Sequence, residues 1–309
     1  MIYDIIGDIH GQANKLENLL LKLGYVMVNG MYQHPARKAV FVGDLIDRGE
    51  QQRRVIEVVR TMVTHGHAFA VMGNHEYNAI CYHTPKSATD YLRPHSKSKF
   101  RQHEFFLKEY PLGQKDTDEL IAWFKTLPLF LEFDCFRVIH ACWDETAIMQ
   151  AKPYLNTDNT IHVRYLARSA TQGTSFFNCI ERLLKGVEVR LPPPHSFQDK
   201  DGKIRHSIRV KWWAGRDAGY QQLAFGYGVG KKSFPDTPVL NSADIPFYDS
   251  TRKPVFFGHY WLTGTPALQQ SNVCCVDYSA GKGGKLVSYS LKNPTGSSHL
   301  NAMNFTFSD

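Results

Sequence analysis

A chain of 309 residues with 43% hydrophobic content can bury a large core, as one big domain or as two small ones. Its formal charge of +7 and pI near 9.0 point to anionic partners such as phosphoproteins, nucleotides or nucleic acid, or to a simple basic surface. There is no apolar run of about 20 residues to suggest a membrane span, no basic and apolar leader to suggest a signal peptide, and no Cys-x-x-Cys pair to suggest a zinc ribbon.

The first predicted element is a short buried strand over "MIYDII", in which Ile2, Ile5 and Ile6 lead into Gly7, Asp8, Ile9, His10 and Gly11. Taken singly, Asp8 and His10 read either as an Asx turn followed by a histidine or as two metal ligands. A helix is predicted next over "ANKLENLLLKLGY", with Leu16, Leu19, Leu20 and Leu23 at helical spacing and Gly24 placed to end it. "KAVFVGDLIDRGE" repeats the opening pattern, carrying Ala39, Val40, Phe41 and Val42 into Gly43, Asp44, Asp47 and Arg48. A second helix is predicted from about Gln51 to Thr64, with Val55, Val59, Met62 and Val63 on one side. "HAFAVMGNHE" then runs Ala68 to Met72 into Gly73, Asn74, His75 and Glu76, where Glu76 reads as a residue that closes a turn or binds backbone.

Just after it, "YHTPKSATDYLRPHSKSKFRQHE" gathers His83, Arg93, His95, Lys97, Lys99, Arg101 and His103. Such a run is a solvated face or a basic cap that steers phosphate substrates. "FRVIHACWDE" carries Phe136, Val138 and Ile139 into His140, with Trp143 assigned to the rim or to the core. "DKDG" at Asp199 to Gly202 reads as a turn. In "KIRHSIRVKWWAGRD", Arg209 sits in an alternating run beside Trp212 and Trp213. "GYGVGKKS" and "GKGGK" miss the glycine spacing of a P-loop and read as loops or hairpin turns. "KPVFFGHYW" carries Val255, Phe256 and Phe257 into Gly258 and His259, and "NVCCVDYS" and "KLVSYSL" are predicted late strands of a second sheet packed on the first. Cys81, Cys135, Cys142, Cys179, Cys274 and Cys275 are scattered, and none is followed six positions later by Arg as a cysteine-nucleophile phosphatase requires. They read as reduced thiols of a cytoplasmic protein.

Strands alternating with helices imply βαβ units and a mainly parallel sheet, whose ligands gather at the carboxyl ends of strands. All five motifs fall at such ends, so Asp8, His10, Asp44, Asn74, His140 and His259 read together as a binuclear metal site. "GDIHG", "GDLIDRG" and "GNHE", followed at long range by a strand-borne His and "GH", resemble the calcineurin-like metallophosphoesterases. The resemblance is to the branch of the Ser/Thr protein phosphatases and similar bacterial and phage phosphatases and dinucleoside tetraphosphatases.

The resemblance implies an α/β fold, a two-sheet sandwich flanked by helices, formed as a single domain over residues 1–309 with insertions near 80–130 and 145–250. It also implies that Asp8 and His10 bind one divalent ion, that Asp44 bridges two, and that Asn74, His140 and His259 hold the second. Mixed oxygen and nitrogen ligands suit Mn²⁺, the expected ion, with Fe or Zn²⁺ as alternatives. Two such ions can generate hydroxide and stabilise an in-line displacement. His75 is then the general acid oriented by Asp47, and Arg48 grips the phosphoryl group. A second phosphate-binding arginine is expected among Arg205, Arg209 and Arg216, with Arg209 as the choice.

The leading expectation is hydrolysis of phosphomonoesters, phosphoprotein or phosphopeptide side chains included. One alternative is a dinucleoside polyphosphate hydrolase, for which Trp143, Trp212, Trp213, Tyr260 and Trp261 are candidate stacking surfaces for the bases of a nucleotide. The other is a non-catalytic protein holding nucleic acid or phosphate on the same scaffold. Six intact ligand positions argue against it, and nucleic acid is not the expected partner.

Overall fold

The structure is a computed structural model that describes residues 1–198, 203–215, 218–226, 234–235, 237–239, 245–292 and 299–309. Arg216, the turn expected at 199–202 and most of the glycine-rich stretch at 226–233 lie outside the described residues.

In chain order the first part comprises β1 (Ile2–Ile6), α1 (Ala13–Lys22), β2 (Val26–Val28), β3 (Met31–Gln33), β4 (Arg37–Phe41), α2 (Gln52–Thr64) and β5 (Ala68–Ala70). Three helices follow, α3 (Asn74–His83), α4 (Lys97–Glu109) and α5 (Lys115–Phe124), and then β6 (Phe130–Glu132) and β7 (Arg137–Ile139). The next stretch holds α6 (Glu145–Ala151), α7 (Leu166–Ser169), α8 (Ser175–Lys185), β8 (Glu188–Arg190), β9 (Phe197–Gln198), β10 (Ile204–Arg205), β11 (Ser207–Arg209) and α9 (Tyr220–Leu223). The chain closes with β12 (Val255–Phe257), β13 (Val273–Cys275), β14 (Asp277–Tyr278), β15 (Lys285–Leu291) and β16 (Phe305–Ser308).

Two sheets carry the five motif strands. In the first, ordered β14-β15-β1-β4-β5 with β16 on β15, the pairs β1–β4 and β4–β5 are parallel. In the second, ordered β13-β12-β7-β6, β12 pairs parallel with both β13 and β7. Their facing sides form one apolar layer, in which Ile5, Val40, Val42 and Val71 of the first sheet meet Phe136, Val138, Phe256 and Cys274 of the second. The alternation of a strand turns the neighbouring side chains outward. Ile6, Ala39 and Phe41 therefore pack with Leu16, Leu19, Val55 and Val59 of α1 and α2, while Ile139 and Phe257 pack with Ile180, Leu183 and Trp212. This is the expected sandwich with helices outside.

The structure changes two details. The motif strands do not share one sheet edge: β1, β4 and β5 belong to the first sheet and β7 and β12 to the second, so the site lies where the carboxyl ends of two sheets meet. The two late strands also part company. Val273–Cys275 joins the second sheet, but Lys285–Leu291 lies antiparallel to β1 in the first, with Tyr3 opposite Leu291 and Ile6 opposite Ser288. Both strands are buried along almost their whole length, so neither carries the alternation that would assign it to a sheet.

α1 ends as its sequence predicts. Gly24 adopts φ +87°, and the N–H groups of Gly24 and Tyr25 reach back to the carbonyls of Leu21 and Leu20, the paired bonds of a glycine-terminated helix. No helix among the described residues is long and apolar enough to cross a membrane.

Candidate metal centre

The loops after β1 and β4 are laced together through their backbones. The N–H groups of Ile9 and His10 donate to the Asp44 carbonyl, that of Gly11 to Leu45, and that of Gly49 back to His10. Glu76 fixes the third loop to the second, its carboxylate accepting the N–H of Gly73, Asp44 and Leu45 at 2.8–2.9 Å. It binds backbone, as its position in the motif suggested. The loop after β12 joins through Gly258, whose N–H donates to the His140 carbonyl at 2.8 Å.

These loops hold their side chains in an uncommon backbone form. His10, Asp44, Asp47, Arg48 and His259 all have positive φ, between 50° and 71°. A non-glycine residue there costs roughly 1–3 kcal/mol, and such residues cluster where the surroundings over-determine a functional geometry.

Asp44 is the hub. Among the described residues two groups bring their ligating atoms within 4.8 Å of one another, His10 with Asp44 and His75, and Asp44 with His140 and His259. Nε2 of His10 lies 3.6 Å and Nε2 of His75 3.8 Å from Asp44 Oδ2, and Nε2 of His140 lies 3.4 Å from Oδ1. His140 Nε2 is also 3.1 Å from Asn74 Oδ1. His10 and His140 each donate Nδ1–H to a backbone carbonyl, Ile46 and Val42 respectively, at 2.8 Å. Those bonds fix the tautomer and leave each Nε2 lone pair facing inward. Asp8 joins differently: its carboxylate accepts the His259 N–H at 3.0 and 3.3 Å, beside the cluster and outside both converging groups.

The residues fit divalent cations on three grounds. Nε2 of His10 and both ring nitrogens of His259 are buried without a hydrogen-bond partner among the described residues, a costly state that a bound cation would relieve. Burial, with His75 nearby, pushes His10 down to about 3, and burial with Arg209 holds His259 well below the usual range, so both are kept neutral. Burial and the neighbouring Asp277 and Asp44 push the Asp8 carboxyl well up, a crowding of carboxylates that a divalent cation would relieve. Oxygen and imidazole donors without thiolate suit Mn²⁺, Fe or Zn²⁺; the six cysteines are free thiols elsewhere.

Beside the cluster, His75 Nδ1 bonds Asp47 Oδ2 at 2.5 Å, and Asp47 Oδ1 accepts from Nδ1 of His103 at 2.7 Å. Burial opposes the Asp47 charge, but His103 and His75 hold its carboxyl well below the usual range. Burial likewise opposes a charge on His75, yet Asp44 and Asp47 push it up.

The cluster opens into a cavity of about 520 Å³. Arg48, Arg93, Lys99, Arg101, Lys185, Arg209 and Lys282 line it, with Asp47 the single carboxylate among the described lining residues. Of the three arginines proposed as a second clamp, Arg209 is therefore in the cavity wall, while Arg205 is exposed on β10 and outside it. The basic run is part wall: Arg93, Lys99, Arg101 and His103 line the cavity, whereas His95 stacks on Tyr82 and Tyr91. Four of the five candidate stacking surfaces are core residues, Trp143, Trp212, Trp213 and Tyr260 being buried. Trp261 lines the cavity, with the Arg48 guanidinium 4.5 Å and the Lys282 ammonium 3.4 Å from its ring centre. "GKGGK" is a turn packed against the centre: a Cβ at Gly281 would lie 2.7 Å from His10 Cβ and 2.9 Å from Arg48 Cδ.

Two residues of the centre lie outside the set expected from sequence. His103 was legible only as one charge in a basic run, because 56 positions separate it from Asp47. Asp277 accepts the N–H groups of Trp261 and Ser279. It follows the buried run "VCCV", the pattern that marked the other motifs, and could have been found the same way.

Residues 1–163 match the model of a family described as calcineurin-like phosphoesterase. Over 76 residues the chain is 50% identical to the bis(5'-nucleosyl)-tetraphosphatase PrpE of Oceanobacillus iheyensis, a match covering 24% of this chain and 30% of that protein. The chain thus spans under a third of that relative's length. Two solved structures share the fold. A serine/threonine protein phosphatase from Saccharomyces cerevisiae aligns with TM-score 0.52 at 16% identity, over 99% of this chain and 78% of that one. The cold-active protein-tyrosine phosphatase of a psychrophilic Shewanella aligns with TM-score 0.51 at 16% identity, over 95% of this chain and 76% of that one.

Proposed function

We propose, from the premise that the chain belongs to the calcineurin-like phosphoesterases, that it hydrolyses the phosphoanhydride of a dinucleoside polyphosphate. The observation that carries this reading is the cavity wall, where seven cationic side chains stand against the lone carboxylate of Asp47, with Phe105 and Trp261 beside them. One phosphoryl group needs one planar guanidinium and the metal centre; a chain of phosphates gives the remaining cations partners. The tetraphosphatase relative supports the same choice within the stretch it matches. This reverses the order expected from sequence, where phosphomonoesters came first.

In this reading Asp8, His10, Asp44, Asn74, His140 and His259 hold two divalent ions, Mn²⁺ by preference. Bound there, such ions activate water and neutralise charge on the attacking and leaving oxygens. Arg48 and Arg209 orient the reacting phosphoryl group. A water oxygen bonds to phosphorus in line with the bridging oxygen, whose bond to phosphorus breaks with its electron pair going to the departing nucleotide. His75, protonated at Nε2 and held by Asp47, gives its proton to that oxygen, and the proton of the water passes to solvent. A cytoplasmic location belongs to the same reading, since free thiols persist in a reducing compartment.

One observation favours phosphomonoesters as the second reading. An acid held as firmly as His75 matters most when the leaving group is a poor one, such as the alkoxide of a serine side chain. A side-by-side panel in one Mn²⁺ buffer decides between them. We expect kcat/KM for diadenosine tetraphosphate to exceed that for p-nitrophenyl phosphate and a phosphoserine peptide by tenfold or more, about 1.4 kcal/mol in transition-state binding. A tenfold preference for the peptide would promote the phosphomonoester reading.

A further inference from the structure

We propose that His103 is a positioning residue for phosphoryl transfer: it locks the carboxylate of Asp47, and Asp47 in turn holds the His75 imidazole with Nε2 facing the metal centre. The proposal rests on the reading of His75 as the acid.

His103 is only 4% exposed. Its ring stacks on Phe106 at 4.6 Å between centres, with Tyr82 at 5.5 Å and His83 at 5.9 Å. Its Nε2 has no hydrogen-bond partner among the described residues, so the bond this buried ring makes with Asp47 Oδ1 is the one its Nδ1 provides. Leaving one nitrogen of a buried imidazole unpaired costs free energy, which the bond from Nδ1 to the Asp47 carboxylate offsets.

What that bond achieves follows from the rest of Asp47. The residue sits at φ +70°, its N–H is tied to Gln52 Oε1 at 2.9 Å, and its Oδ2 is taken by His75. Oδ1 is the one oxygen left to set the rotation of the carboxylate, and His103 sets it. The helix that carries His103 is anchored to the same segment again at its C-terminal residue. The Glu109 carboxylate accepts the N–H groups of Gln52 and Arg53 at 2.8 Å each, capping the start of α2. α4 therefore grips the segment from Asp47 to Arg53 at two points just under two helical turns apart.

The test uses His103→Leu, which removes the donor, and His103→Asn, whose amide N–H stands where Nδ1–H stood, each alone and combined with His75→Asn. Turnover of phenyl phosphate and of p-nitrophenyl phosphate is measured with Mn²⁺, alongside metal content and melting temperature. We expect His103→Leu to lower kcat on phenyl phosphate by roughly 10–100-fold with KM little changed, the scale of a misaligned catalytic group. The loss should be smaller on p-nitrophenyl phosphate, whose leaving group needs little protonation, and His103→Asn should restore most of it. In the His75→Asn background His103→Leu should cost nothing more, because it acts through His75. Equal losses on both esters, or the same loss in both backgrounds, would overturn the proposal in favour of a structural role. If His75→Asn alone leaves the rate unchanged, the acid role falls and this proposal with it. If His75→Asn slows the enzyme and His103→Leu does not, only His103 is struck out. Should the leucine variant fail to fold, His103→Gln decides: it keeps an amide but moves the donor, and is expected to lose rate where His103→Asn does not.

Discussion

The floor and the wall of the cavity are built differently. The floor is made of strand ends: Asp8, His10, Asp44, His140 and His259 follow buried β-strands directly, and backbone bonds fix their loops, with left-handed φ at His10, Asp44 and His259. The wall is made of long cations delivered from elsewhere, Arg93 and Lys99 from the α4 region, Lys185 from the end of α8, Arg209 from the two-stranded β8–β11 sheet and Lys282 from a 3-10 turn. Chemistry that needs ligands fixed to within about half an ångström belongs on the floor, and recognition that tolerates adjustment belongs on the wall. The comparison predicts that floor changes strike kcat on every substrate, and that wall changes strike KM on some.

The largest effect should come from Asp44→Asn, because Asp44 is common to both converging groups. We expect kcat/KM to fall by at least about 10³-fold on all phosphate substrates. A substrate-selective loss would blur the line between floor and wall. His75→Asn should come next, lowering kcat by about 10²–10⁴-fold on esters with poor leaving groups and less on p-nitrophenyl phosphate, with metal content unchanged. Loss of metal in that variant would move His75 into the ligand set, where its 3.8 Å approach to Asp44 Oδ2 would allow it.

On the wall, Arg93→Ala combined with Lys99→Ala should raise KM for diadenosine tetraphosphate about tenfold while leaving p-nitrophenyl phosphate kinetics alone, since charged hydrogen bonds contribute roughly 1.5–3 kcal/mol each before solvent screening. Equal effects on both substrates would place these cations at the reacting phosphoryl group instead. Arg205→Ala, exposed and outside the cavity, should change neither substrate.

The same division explains what could be read in the sequence. Floor residues were legible because each motif is local: a buried strand, a sharp turn and a ligand fit within about ten residues, and five repetitions left little room for chance. Wall residues come from helices and strands whose approach to the cavity depends on tertiary packing. The run that holds Lys99, Arg101 and His103 reads as a solvated face or as a basic cap, and only the packed chain tells which. The tryptophans failed for another reason. Trp212 and Trp213 adjoin an alternating run, but both rings are covered, Trp212 bonding the Ala141 carbonyl through its Nε1–H at 2.9 Å, so period alone could not tell wall from core. The late strands shared that ambiguity, which is why Lys285–Leu291 was expected in the wrong sheet.

Metal content tests the account most directly. The protein, stripped with chelator, reloaded with Mn²⁺ and freed of excess by gel filtration, should hold two ions per chain, both resting on Asp44, and Asp44→Asn should hold at most one. Activity should vanish on stripping and return on reloading. Full turnover by stripped protein, or unchanged stoichiometry in Asp44→Asn, would contradict a binuclear centre hinged on Asp44.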